Sequence, residues 1–134
     1  MPITQSFIFS AFQVAPAGIQ YEENFLSLIG SVETQSQHPI AQCILEIVKK
    51  NNFPIYPVIA FQEFPHQGVG AAVEIKTGVY RAVLIGKYEF LQELGFNIPE
   101  TLIVASRRWA NEKTQVVYAG WDGWIRGVLK IEHQ

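Results

Sequence analysis

Glu33, Ser36, His38 and Pro39 stand close together in the stretch ETQSQHPIAQ, where residue types and spacing suit chemistry. An imidazole follows a carboxylate by five positions and is followed at once by proline. Proline suits the first position of a helix, because its missing N–H would be unpaired there anyway. The residue just before a helix is usually Ser, Thr, Asp or Asn, and His is a poor substitute. The His-Pro pair is therefore either incidental or placed to present an imidazole. Ser36 and His38 are near neighbours, but nothing around Ser36 forms a nucleophile elbow. Neither a catalytic triad nor a two-carboxylate constellation is found.

The glycines are the second set. FPHQGVGAAV puts Gly68, Val69 and Gly70 at the start of a strand. Glycine inside a strand marks a bulge, or a place where another backbone or a ligand comes close. A strand follows this G-x-G where a dinucleotide fingerprint demands a helix, and no G-K-[ST] of a phosphate loop occurs. Gly86, in LIGKYEF, stands where a strand hands over to a helix. It is a turn glycine or a second point of ligand contact. Cys43 with His38 and His66 makes an unconvincing metal trio, since Cys43 falls on a different side of its helix. A small core thiol is the better reading, and no metal ligands are assigned.

Elements that position these residues follow from periodicity. SFIFSAFQVA reads as a strand ended by Pro16 and Gly18. Phe25, Leu28, Ile29 and Val32 recur at helical spacing, which predicts a helix from Tyr21 to about Ser36, with Glu22 and Glu23 in its first turn. A second helix runs from Pro39 to about Asn51, with Ile40, Ile44, Ile47 and Val48 as its buried stripe. VIAFQEF is a strand. GVGAAVEIK and VYRAVLIG form a hairpin about Thr77-Gly78. KYEFLQELG and PETLIVASRRWANE are short helices, the second with Arg107-Arg108 on a solvated face. TQVVYAGWDGWIRGVLKIE is a hairpin about Asp122-Gly123, with Trp121 and Trp124 as a cross-strand pair. Paired helices and hairpin strands give an α+β class: a twisted, largely antiparallel sheet of about six strands flanked by two helix pairs.

Composition bounds the rest. The 134 residues suit a single domain, 1–134. A composition of 49% hydrophobic and 16% charged residues argues against disorder. A net charge of −2 without a basic patch argues against nucleic acid as a partner. One cysteine rules out a disulfide framework and fits a reducing compartment. No apolar run approaches the ~20 residues of a membrane span, and the start lacks a secretory pattern. A soluble domain of cytoplasmic type, without direct membrane contact, is expected.

Read in order, ETQSQHP, then HQGVG, then IGKYEF resemble the nucleotide-binding domain of heavy-metal-transporting P-type ATPases. That family shows Glu ahead of Ser-Glu-His-Pro, then Gly-x-Gly-x-Gly, then Gly-Asn. The likeness runs along nearly the whole chain, including the closing VVYAGWDGWIRGVLKI. It implies a domain excised from a larger membrane pump. Residues 1–5 would then be a candidate remnant of the phosphorylation loop, Ile3-Thr4 its end and Met1-Pro2 added in cloning. The acceptor aspartate would lie outside the chain, so this fragment alone is not expected to be catalytic. The implied partners are ATP and the phosphorylation and actuator domains of the pump. Magnesium is expected mainly at the phosphorylation domain, and the fragment is expected to be a monomer.

The resemblance also implies roles. Glu33 accepts from the adenine amine and His38 stacks on the base or hydrogen-bonds to it. Gly68, Gly70 and Gly86 let the nucleotide lie against strand backbone, and Val69 gives an apolar wall. Nothing forms a phosphate cradle, so modest affinity with a projecting γ-phosphate is expected. Three positions depart from the pattern. Gln37 replaces Glu and removes a charge beside His38. His66 replaces the first glycine and either stacks on the ligand or crowds it. Lys87 replaces Asn, losing an amide acceptor but gaining a cation that can reach a phosphate oxygen. Weakened binding is the expected consequence. The alternative is a non-enzymatic α+β ligand- or protein-binding module whose His-Pro and glycines are structural.

Overall fold

The computed structural model describes residues 7–15, 22–111 and 113–133. The stretches around Ile3-Thr4 and Pro16–Gly18 lie outside them. In chain order the elements are β1 (Phe7–Val14), α1 (Glu22–Glu33), α2 (Pro39–Lys50), β2 (Val58–Phe64) and β3 (Gly68–Lys76), then β4 (Val79–Gly86), α3 (Tyr88–Glu93), α4 (Glu100–Trp109), β5 (Thr114–Trp121) and β6 (Trp124–His133). The succession and nearly all bounds match the periodicity. The first helix ends at Glu33 rather than near Ser36, because its last turn tightens: Ser36 N–H donates to Glu33 C=O at 3.0 Å.

The strands form one six-stranded sheet in the order β1-β6-β5-β4-β3-β2, with every neighbouring pair antiparallel. Strand alternation gives the sheet two apolar faces. Val83 and Ile85 of β4 and Val117 and Ala119 of β5 point to one face, where α1 and α2 pack. Leu84, Val116 and Tyr118 point to the other, against Phe90 and Leu91 of α3 and Leu102 and Ala105 of α4. The helix pairs thus sandwich the sheet. On α1, Phe25, Leu28, Ile29 and Val32 are at most 2% exposed, which is the helical stripe read from sequence. Truncating such a residue as Ile29 to Ala costs about 2–5 kcal/mol.

Local chemistry fits each junction. Gly127, in mid-strand β6, leaves room for the ring of Phe25; a Cβ there would collide with it. Asp122 (φ 53°) and Gly123 (φ 78°) make the left-handed pair that a tight hairpin needs. Trp121 and Trp124 stand opposite each other in register. Their rings have different surroundings, however. Trp121 lies 6.2 Å from Phe25, with the Arg81 and Arg126 guanidinium groups 5.4 and 5.5 Å from its centre. Trp124 is 46% exposed. Trp121 is therefore a core and cation–π residue more than half of an aromatic pair. Arg107 and Arg108 are exposed. Cys43 is buried, its Sγ 3.6 Å from the Phe7 carbonyl oxygen. No helix among the described residues is long and apolar enough to cross a membrane.

Candidate functional site

His38 turns out to cap α2. Its backbone is extended (φ −66°, ψ 141°), and Pro39 begins the helix. The imidazole does what a Ser or Asp side chain normally does there: Nδ1 accepts the Ile40 N–H at 3.1 Å. With Nδ1 accepting, the proton of the neutral ring lies on Nε2. Ser36 completes the junction. Its Oγ accepts the His38 N–H at 3.2 Å, and its C=O accepts from Gln42 Nε2 at 3.3 Å. The imidazole is thus oriented by bonds on both sides of its Cα. The Phe7 ring lies 6.4 Å away, tilted by 37°.

Glu33, the last residue of α1, is only 4% exposed. Burial disfavours the charged form and pushes its carboxyl from 4.5 up to about 7. Near neutral pH this acid therefore sits at the balance between two protonation states.

Opposite the helix junction stands the end of the sheet. Gly68 begins β3 and Gly86 ends β4, and the two are register partners. A Cβ on Gly68 would lie 2.8 Å from the Gly86 Cα and would overlap the Ile85 carbonyl oxygen. The reciprocal change on Gly86 would meet the Gly68 Cα at 2.9 Å. These glycines are demanded by close approach of two backbones. Before them, Phe64 to Gln67 form a tight turn closed by Gln67 N–H to Phe64 C=O at 2.8 Å. Pro65 takes its second position and His66 its third, with φ 64°. That left-handed position normally belongs to glycine or asparagine, and a side chain there costs about 1–2 kcal/mol. Lys87 N–H donates to Gln67 C=O at 3.0 Å and ties the turn to the start of α3.

Between the helix junction and the sheet end lies an open cavity of about 510 Å³. Ile40, Val69, Ile85 and Val117 give it apolar surface. Glu33, Ser36 and His38 line it from the helices, and His66, Gly68, Gly86 and Lys87 from the sheet end. Of the residues singled out in sequence, Glu33, His38, His66, Gly68, Val69, Gly86 and Lys87 converge here. Gly70 does not line the cavity. It faces Leu84, whose Cδ2 fills the space a Cβ would take, at 2.5 Å. Gln37 is exposed and does not line it either.

Ile40 and residues Gln115 to Val117 were missed by sequence reasoning. The last three lie on β5 just beyond Tyr118, the partner of Gly86, so β5 runs on where β4 stops. Only the strand order brings them in; no local motif marks them. A smaller cavity of about 310 Å³ lies alongside and shares Lys87 and Val116.

No family model matches the chain. A copper-exporting P-type ATPase of Vibrio cholerae is 32% identical over 114 residues, which are 84% of this chain and 12% of that protein. The chain spans about one-eighth of the length of the curated relatives it matches. Among solved structures, the N-domain of HMA6, a copper-transporting P-type ATPase, superposes with a TM-score of 0.72 at 23% identity, over 94% of this chain and 98% of that one. The catalytic domain of the CPx-ATPase CopB-B, which changes conformation upon nucleotide binding, gives 0.62 at 18% identity, over 96% and 38%. By sequence the chain is a relative of copper-transporting P-type ATPases, and it has the fold of the N-domains of such pumps.

Proposed function

We propose that this chain binds ATP through its adenine and presents the γ-phosphate to a phosphorylation domain elsewhere in a metal-ion-translocating P-type ATPase. The observation that carries the reading is convergence: Glu33 and His38 from one helix junction meet Gly68 and Gly86 from two strand ends around one cavity. At about 510 Å³ it has the size of an ordinary small-molecule site. Its apolar surface suits a purine. Glu33 accepts from the exocyclic amine, and the oriented His38 ring stacks on the base or donates to it through Nε2. Stacking of this kind contributes about 1–3 kcal/mol. Val69 gives the apolar wall, and the open mouth leaves the γ-phosphate free to project.

The parent would be a membrane pump with this domain on its cytoplasmic side, working with actuator and phosphorylation domains. Magnesium would act mainly at the latter. Copper is the proposed cargo, since the sequence relatives are named for it. The fragment alone is proposed to be monomeric and non-catalytic.

Titration of isotope-labelled protein with ATP, ADP and GTP tests the reading. Saturable amide shifts at Glu33, His38 and Gly68, with adenine preferred over guanine, are expected. Equal, non-saturable responses to all three nucleotides would leave a structural role for the His-Pro and glycine motifs.

A further inference from the structure

His66 occupies a left-handed backbone position at φ 64°, the third place of a turn that glycine or asparagine would fill at less cost. The residue is exposed, so it stabilises little by burial, and no side-chain hydrogen bond of His66 is found among the described residues. Residues in this backbone region cluster at ligand sites, and of the four non-glycine residues that share it (Asn52, Ala60, His66 and Asp122) only His66 lines the cavity. His66 lines the cavity. Lys87 lines it too, and its N–H bonds to the carbonyl of Gln67, the residue next to His66. The backbone positions of an imidazole and an ammonium residue are thereby tied together at the sheet end, on one cavity. The buried carboxyl of Glu33 enters from the helix junction instead.

Resting on the nucleotide reading above, we propose that His66 and Lys87 together form a subsite for the phosphate chain, and that His66 is retained for ligand affinity at the expense of turn geometry. The imidazole donates an N–H to a phosphate oxygen, and Lys87 adds a cation with rotatable donors. Glu63 lines the same cavity, so charges of both signs are present, and magnesium-bound ATP, with its smaller net negative charge, is the probe.

The test is calorimetric titration of the 134-residue chain and its His66→Gly and His66→Asn variants with MgATP and with adenosine. Both substitutions suit a left-handed position, so melting temperatures equal to or above that of the parent are expected. In His66→Gly, which has no donor, MgATP binding should weaken about tenfold, the size of one charge-assisted hydrogen bond, while adenosine binding stays within about twofold. Lys87→Gln should likewise affect MgATP more than adenosine. MgATP affinity of His66→Gly within about twofold of the parent overturns the subsite, as does an equal loss for adenosine. Absence of saturable ATP binding by the parent chain overturns the nucleotide reading itself, a distinct result.

Discussion

Gly68 and Gly86 face each other across β3 and β4 so closely that neither can carry a side chain. Their shared requirement is structural first. Either Gly68→Ala or Gly86→Ala drives a methyl group into main chain, which cannot swing aside, and a loss of about 1–3 kcal/mol or more is expected. Gly70→Ala meets only the flexible end of Leu84 and should cost less. Urea midpoints of the three variants give the order. If Gly86→Ala unfolds within about 0.5 kcal/mol of the parent, the backbone approach is not what selects glycine there. Any loss of ATP binding in these variants must therefore be read beside their stability.

That pair also shows what the sequence makes legible. G-V-G at a strand start predicts a close approach, and G at a strand end predicts another. Which residue each glycine faces depends on register between segments more than a dozen residues apart. Gly70 looks like its neighbour in sequence, yet Leu84 closes it off from the cavity. The hairpins about Thr77-Gly78 and Asp122-Gly123 were readable because turn residues sit between runs of period two. Residues Gln115 to Val117 were not, because they enter the site through a pairing of β5 with β4 that α3 and α4 interrupt in sequence. His38 was legible as an anchored imidazole but not as a cap, since the Nδ1 bond to Ile40 is rare chemistry for a helix start.

Glu33 makes stability depend on pH. Its carboxyl titrates at about 7 in the fold against 4.5 in the unfolded chain, so between those values the folded state holds the extra proton. Stability from this group is full below pH 4.5 and falls as pH rises through about 7, by about 3 kcal/mol in all. Glu33→Gln removes the titration. Denaturation series from pH 4 to about 8.5 should show the parent losing stability relative to Glu33→Gln as pH rises. Parallel curves would mean that the carboxyl ionises as freely in the fold as out of it.

Ser31 links α1 to the chain that leads into β2. Its hydroxyl donates to the Ser27 carbonyl at 2.6 Å and accepts the Tyr56 N–H at 2.8 Å. Ser31→Ala leaves that amide without its partner, at a cost of about 1–3 kcal/mol. Hydrogen exchange at Tyr56 should accelerate in the variant by at least about tenfold. Unchanged exchange would show that water or a neighbouring carbonyl takes over.

His38 has an observed job and a proposed one, and substitution can separate them. Its Nδ1 caps α2, and the residue also lines the cavity, where the proposed function gives its ring to the purine. His38→Ala loses both, so stability should drop by about 1 kcal/mol and ATP affinity by about tenfold. His38→Ser restores a side-chain oxygen at the cap but supplies no ring. Its melting temperature should return close to that of the parent, while ATP affinity stays about tenfold weaker. Recovery of both in the serine variant would assign the imidazole to helix capping alone and remove it from the binding site. Recovery of stability without affinity would mean that the helix start was built around a histidine because only that residue both closes the first turn and offers a flat, oriented face to a purine.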